Sequence, residues 1–176
     1  MAVTCPIGFD VATLRGEVQA MYSRVAASPD GEFHFHRGPH YAATMLGYDA
    51  TELAALPSEV TSSFAGVGNP HAIDRIPIGA TIVDIGCGAG MDLLLAGRRT
   101  GPSGRAIGVD MTEAMRRRAS QGAAVSGLAH VDVRDGDATR LPVEDRSVCF
   151  AGTSKERTAR RYGVMGVNLS AVRLSV

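Results

Sequence analysis

The stretch Val83-Asp84-Ile85-Gly86-Cys87-Gly88-Ala89-Gly90-Met91-Asp92 (VDIGCGAGMD) places glycine at three alternate positions directly after a short apolar run. That run, residues 81–85, is bounded by glycine on both sides and predicts a strand buried on both faces of a sheet. Residues 91–99 then predict a helix, with Asp92 in its first turn and arginines in its last. The stretch therefore indicates a strand, a glycine-rich turn and a helix, with backbone passing close to a ligand.

The same alternation of strand and helix continues downstream. Residues 105–110 (RAIGVD) predict a second strand, and residues 112–125 a helix with Thr112 as its N-cap. Residues 130–138 predict a third strand that runs into a loop, and residues 147–152 (SVCFAG) a fourth. Strands that alternate with helices form βαβ units, so the expected fold class is α/β with a Rossmann-like parallel sheet.

Residues 1–60 are expected to form a helical segment that folds over the sheet as a lid. Within residues 11–27 the apolar side chains recur at helical spacing, at Val11, Leu14, Val18, Met21 and Val25. Residues 32–38 (EFHFHRG) alternate with period two and predict a short extended segment. Asp49 and Glu52 have the spacing of a capping box, flanked by Tyr48 and Leu53 as a hydrophobic staple, so a short helix should follow.

The glycines by themselves leave the ligand open. A P-loop requires Lys-Ser or Lys-Thr after the last glycine, and neither follows Gly90. A dinucleotide fingerprint requires its third glycine at position 91, where Met91 stands. The carboxylate of Asp84 would also repel a pyrophosphate, whereas it would suit a ligand that carries an ammonium group.

Two further acids suggest an adenosine. Asp110 closes the second predicted strand, where an acid can accept hydrogen bonds from both ribose hydroxyls. Asp137 ends the third predicted strand and could accept a proton from an adenine amino group. Because the carboxyl ends of parallel strands share one edge of the sheet, all three acids should face the same ligand. An adenosine with an amino group and no pyrophosphate fits S-adenosylmethionine.

The motifs VDIGCGAG, GVDM and GDATRLP resemble the first three motifs of class I S-adenosylmethionine-dependent methyltransferases. With the upstream SSFAGVGNP, the chain is similar over residues 60–148 to the arsenite methyltransferase branch of that class. The resemblance implies that the Gly86-Cys87-Gly88 turn passes the methionine part of the cofactor and that Asp110 holds the ribose. The implied cofactor site comprises Asp84, Gly86, Cys87, Gly88, Gly90, Asp110, Met111, Asp137 and Ala138. In it Met111 packs on adenine, Asp137 and Ala138 line the edge of that base, and Cys87 serves as a small residue rather than a nucleophile.

Two departures from that branch limit what the resemblance implies. Arsenite methyltransferases carry cysteine in a Gly-Cys-Gly-Asn-Pro loop, where this chain has Val67. Valine offers no sulfur to soft As(III), so arsenite is disfavoured and an unknown small-molecule acceptor is expected. After about residue 148 the family pattern stops, and residues 151–176 carry five basic residues against one acid. The expectation is a truncated or altered methyltransferase, with the methyltransferase fold incomplete and residues 151–176 a divergent basic tail after a cofactor-binding core at 61–150.

Alternatives stay open at this point. The chain could bind the cofactor without catalysis, as a methyltransferase remnant, or it could be an NAD-type dinucleotide-binding protein. No catalytic residue is assigned, because the acceptor side is unrecognised. His34, His36 and His40 invite a metal site, but no accompanying ligand cluster exists in the sequence, so no metal is predicted.

The net charge and the cysteine content limit which partners and which cellular location the sequence predicts. The formal net charge of zero gives no reason to expect nucleic acid or anionic membrane as a partner. Three widely spaced cysteines fit neither a disulfide framework nor a zinc site, and no signal peptide or membrane span is evident. A cytoplasmic location is therefore expected, with association of copies through an exposed sheet edge after the fourth predicted strand.

Overall fold

The computed structural model describes residues 10–138, 141–143 and 171–173. Its elements follow in chain order: α1 Val11–Ala27, α2 Gly38–Leu46, α3 Ala50–Ala54, α4 Ser58–Ser62, a 3-10 helix Pro70–Ala72, β1 Thr81–Ile85, α5 Met91–Thr100, β2 Arg105–Asp110, α6 Glu113–Val125, β3 Val131–Asp135 and β4 Ala171–Arg173. Strands β1, β2 and β3 and helices α5 and α6 lie where the sequence predicts them. The strand expected at residues 147–152 lies outside the described residues.

The strands form one sheet in the order β3-β2-β1-β4. β1 pairs with β2 in parallel, with Asp84 opposite Gly108, and β2 pairs with β3 in parallel. β4 runs antiparallel to β1, with Val172 opposite Ile82. The three parallel strands confirm the α/β, Rossmann-like class, while the fourth described strand departs from the all-parallel expectation.

β1 is buried on both faces, as its short apolar run predicts. One face packs under α5, where Ile82 joins a cluster with Ala80 and Ala96. On the other face Val83 packs with Ile107 and Val109 of β2. Because both faces are covered, the carboxyl end of β1, which leads into the glycine turn, lies in the interior of the molecule.

Helix α1 has the predicted bounds, but its predicted apolar face is wrong in the first half. Val11 and Leu14 are 68% and 41% exposed. The helix instead contacts the domain through its second half, where Val25 is buried in a cluster with Met115 and half-buried Tyr22 packs against it. Apolar spacing alone does not fix which turns of a helix reach the core.

Three further local predictions can be compared with the structure. Asp49 caps α3 by accepting from the Thr51 and Glu52 amides, but Glu52 pairs with Arg99, 2.7 Å away. Thr112 occupies the N-cap position of α6, as predicted, although its side chain makes no capping hydrogen bond. Residues 32–38 form no strand, because the aromatic rings there pack on α1 instead of joining the sheet.

Candidate cofactor-binding site

The turn between β1 and α5 depends on glycine for its backbone shape. Gly86, Gly88 and Gly90 have φ of 77°, 54° and 94°, in the left-handed region that residues with a side chain rarely adopt. A Cβ added at Gly86 or Gly88 would meet no described atom within 4 Å, so the backbone there faces open space. At Gly90 an added Cβ would lie 2.9 Å from Ala119 Cβ, which accounts for this glycine through packing of α6.

Asp84 lies in β1 directly before this turn, and its side chain is buried. Its Oδ2 atom has no hydrogen-bond partner among the described residues. Burial raises the pKa of Asp84 to about 8, with further contributions from the charges of Asp92 and Asp110. A buried carboxyl without a partner is costly to ionise, so this position suits a ligand that supplies a positive charge.

Asp110 ends β2 and organises the neighbouring backbone. Its Oδ2 accepts from the Gly88 amide at 2.9 Å, and its Oδ1 accepts from the Thr112 amide at 2.7 Å. A carboxylate offers about four acceptor positions, so two remain for the hydroxyls of a ribose. Asp110 thus connects the glycine turn to the start of α6, a role that sequence reasoning missed.

The predicted adenine side lies along β3 and under α1. Asp137 follows β3 instead of ending it, and Arg15 of α1 lies 2.5 Å from its Oδ2. Gln19, one turn further along α1, donates to the Met111 carbonyl at 3.0 Å. A groove of about 620 Å³ opens here, lined by Arg134, Asp135, Gly136, Asp137, Leu141, Pro142 and Val143. Ala138 is exposed beside it.

The structure brings Asp84, the glycine turn and Asp110 together, and it places Met111 and Asp137 next to α1. Arg15 and Gln19 were missed because their contacts join residues about 90 or more positions apart, which no local pattern reveals.

Cys87 is buried within the turn. Burial raises the pKa of its thiol well above the ordinary value, and the negative charges of Asp84 and Asp110 raise it further. A nucleophilic cysteine requires a lowered pKa, so this shift argues against a nucleophilic role, and the role of Cys87 as a small residue of the turn stays a prediction.

A second cluster of buried polar side chains lies at the start of α5. The sequence predicted only that Asp92 lies in the first turn of this helix, and not the contacts of the cluster. Tyr48 Oη lies 2.7 Å from Asp92 Oδ1 and 3.0 Å from the Gly68 carbonyl oxygen. His71 Nε2 lies 3.3 Å from the same Asp92 oxygen, without the alignment of a hydrogen bond. The group ties the loop around residue 68 to α5.

The histidines of residues 34–40 make ring contacts. His34 meets Phe35 edge-on, and His36 stacks on Tyr41. Within the described ranges there is no group of three or more His, Cys, Asp or Glu side chains that could hold a metal ion. No helix in the same ranges has the length and apolar character needed to cross a membrane.

Comparison with known families shows what the central part of the chain resembles. Residues 78–150 match the model of a methyltransferase domain. This match, with the parallel β1–β3 sheet and its glycine turn, makes that part of the chain similar to the class I S-adenosylmethionine-dependent methyltransferases, which share a Rossmann-like fold. Within that class its similarity is to the arsenite methyltransferase branch.

The chain is also similar to individual proteins of known activity or structure. The chain is 41% identical over 103 residues to an arsenite methyltransferase of Halobacterium salinarum, covering 58% of this chain and 26% of the relative. It is 44% identical over 59 residues to the nocamycin O-methyltransferase of Saccharothrix syringae, covering 34% of this chain and 21% of the relative. A solved arsenic(III) S-adenosylmethionine methyltransferase from Chlamydomonas reinhardtii is 32% identical, covering 49% of this chain and 31% of that one, with a TM-score of 0.44. The chain therefore spans about a quarter of the length of the curated relatives it matches.

Proposed function

We propose that this domain binds S-adenosylmethionine and transfers its methyl group to a small-molecule acceptor. The observation that carries the proposal is the unpartnered buried carboxyl of Asp84 beside the open space at Gly86 and Gly88. S-adenosylmethionine carries an ammonium group and a sulfonium and has no phosphate. Its methionine part therefore complements this acidic, side-chain-free pocket, which a dinucleotide pyrophosphate would not.

Each candidate residue has a distinct part in that complex. Asp84 would receive the ammonium group, and Gly86, Cys87, Gly88 and Gly90 would shape the turn around the methionine chain. Asp110 would accept from the ribose hydroxyls with the acceptor positions that the Gly88 and Thr112 amides leave. Met111 would pack on the adenine, whose edge would meet Asp137 and Ala138.

When bound, S-adenosylmethionine supplies a methyl carbon that its sulfonium already activates. The protein is then required chiefly to hold donor and acceptor in line and to keep water away. Helix α1 is suited to cover the adenosine, because Arg15 and Gln19 attach it to both sides of that subsite. No general base is assigned among the described residues, and one is needed only if the acceptor must lose a proton.

The acceptor is proposed to be a small organic molecule and not arsenite. Val67, which stands where the arsenite branch has cysteine, is 84% exposed and offers no sulfur ligand. Similarity to an O-methyltransferase supports an organic acceptor. A cytoplasmic setting and the absence of nucleic-acid or membrane partners belong to the same proposal.

The division into a lid segment at 1–60, a cofactor core at 61–150 and a divergent basic tail at 151–176 also stays a proposal. Contacts of α1 with the cofactor side support the first part. Association through the sheet edge next to residues 147–152 stays a prediction, since that segment lies outside the described residues. Sedimentation of the purified chain over a range of concentrations tests it.

Calorimetric titration with S-adenosylmethionine, S-adenosylhomocysteine and NAD tests the proposal. Binding of the first two ligands and not of NAD is expected, since Asp84 opposes a pyrophosphate. Binding of NAD alone would overturn the assignment. Methyl transfer to a panel of hydroxyl, amine and thiol acceptors then separates an active enzyme from the alternative, a remnant that binds the cofactor and does not turn over.

A further inference from the structure

Asp84 of β1 and Asp92 of α5 lie on packed elements, and the charge of Asp92 contributes to the raised pKa of the Asp84 carboxyl. Ile82 packs against Ala96, and side chains two apart on a strand share a face. Asp84 lies two residues after Ile82 on β1, and Asp92 lies one helical turn before Ala96 on α5. Because the helix runs antiparallel to the strand, both carboxyls lie at the same end of the interface between β1 and α5. Both residues are buried, at 5% and 7% exposure.

Among the residues that the structure describes, no cationic side chain pairs with Asp84. Asp110 on β2 adds a second negative charge, and the Cys87 thiol in the turn stays neutral. On the other side of Asp92 lie the Tyr48 hydroxyl and the His71 ring. Two arginines of α5 and α6 have other partners, since Arg99 pairs with Glu52 and Arg116 pairs with Asp135.

Asp92 is held in place from outside the pair. Tyr48 Oη and His71 Nε2 both approach its Oδ1, at 2.7 and 3.3 Å. Tyr48 is itself anchored in the core, at 6% exposure. The Tyr48 hydroxyl donates to this oxygen and fixes the orientation of the Asp92 carboxyl. A shared proton would then reside on Asp84, whose Oδ2 is buried and unpartnered.

We propose that Asp84 and Asp92 form a paired-carboxyl subsite that holds one proton when empty and releases it to solvent when the cofactor ammonium group binds. Tyr48 and His71 are positioning residues for Asp92. This inference rests on the proposed function, because it takes the ammonium group to come from S-adenosylmethionine. Two carboxyls buried side by side cannot both ionise cheaply, whereas a cation between them removes that cost.

Calorimetry in two buffers of different ionisation enthalpy counts the protons released on binding of S-adenosylhomocysteine. At pH 6.5 the ligand ammonium group is already protonated, because α-amino groups titrate near roughly 8, so released protons come from the protein. The wild-type chain should release about one proton. Asp92→Asn should release clearly less, because removing the neighbouring charge lowers the pH at which Asp84 ionises.

Tyr48→Phe should shift the pH at which the pair of carboxyls loses its proton in the direction opposite to Asp92→Asn. Loss of the hydroxyl removes the hydrogen bond to Asp92 Oδ1, so the pair of carboxyls is expected to hold its proton to higher pH. The midpoint of affinity against pH should therefore rise in Tyr48→Phe and fall in Asp92→Asn. A merely structural role would weaken binding in both variants with the midpoint unmoved. Asp132→Asn, an exposed acid paired with Arg105 and Arg134, is the matched control and should change nothing.

Infrared spectra of the cofactor-free protein keep this inference separate from the proposed function. A protonated-carboxyl band should disappear as the pH rises through about 8, the pKa of Asp84, and it should be missing in Asp84→Asn. If the ligand fails to bind but this band is present, the proposed function fails and the shared proton stands. Ligand binding without proton release, or with equal release in Asp92→Asn, would overturn the paired-carboxyl subsite.

Discussion

The two ends of the candidate site differ in how their acids are balanced. At the methionine end Asp84 is buried, and within the described part of the chain it has no cationic partner and its Oδ2 atom has no hydrogen-bond partner. At the adenine end Asp137 is half-buried and already paired with Arg15. The acid at the methionine end requires a positive charge from the ligand, whereas Arg15 of the protein already balances the acid at the adenine end. Selection for a cationic ligand should therefore come from the methionine end, and closure of the site from the adenine end.

The largest expected effect is at Asp84, on the stability of the cofactor-free protein. Its pKa rises from the ordinary 3.8 to about 8 on folding, so the folded state binds the extra proton between those values. The stabilising contribution is complete below pH 3.8 and is lost as the pH rises toward 8. That loss is at most about 1.4 kcal/mol per pH unit. Asp84→Asn should avoid it and be more stable than wild type at pH 8.

Denaturant unfolding of both proteins at pH 5, 6.5 and 8 measures this difference. The stability advantage of Asp84→Asn should grow with each step in pH, while Asp132→Asn shows no such trend. A stability advantage of Asp84→Asn that stays constant with pH would contradict a buried Asp84 carboxylate without a balancing cation. The two ends of the site would then not differ in how their acids are balanced.

The next effect is at Asp110, which lies between the two ends. Asp110→Ala should weaken cofactor binding by roughly 1.5–3 kcal/mol, because it removes charge-assisted hydrogen bonds to the ribose. The structure adds a second cause, since the Gly88 and Thr112 amides lose their acceptor as well. Titration calorimetry measures the loss. Asp110→Asn keeps one acceptor oxygen and should lose less affinity than Asp110→Ala, and an unchanged Kd in both would show that the ribose lies elsewhere.

The smallest effect is expected at Arg15. Its side chain is 46% exposed, so the ion pair with Asp137 contributes at most about 1 kcal/mol and weakens with salt. Arg15→Ala should weaken cofactor binding by a few-fold at low salt and by less at high salt. Arg24→Ala changes the same residue type on the same helix, where the side chain contacts Met21, and should leave affinity unchanged. Equal effects of the two substitutions would remove the assignment of α1 to the adenine end.

Local signals predicted the parallel part of the fold well. The strand–turn–helix around Gly86 is contiguous, and its glycines, Asp84 and the helix that follows can be identified from spacing alone. The positions of Val11 and Leu14 could not be predicted, because exposed and buried apolar residues have the same spacing along a helix. Contacts such as Tyr48 with Asp92 join residues 44 apart, and only the folded chain brings them together.

The sequence predicted the positions of Asp84 and Asp110 near the strand ends, but not their contacts or burial. The sequence correctly indicated acids at the ends of β1 and β2, because strand order alone puts them on one edge. It contained no sign that Asp110 would bind the turn backbone. Nor did it reveal that Asp84 would be buried without a partner. Both depend on which atoms the packing leaves accessible.

Every residue of helix α5 from Met91 to Gly97 is buried. Backbone amides in such a helix exchange with solvent only when the surrounding layers open, so they should be among the slowest in the domain. Its first turn carries Asp92, next to the place where the ligand charge would arrive. Hydrogen exchange at that turn should therefore slow further when cofactor is added, which turns the most protected helix of the molecule into a reporter of ligand occupancy.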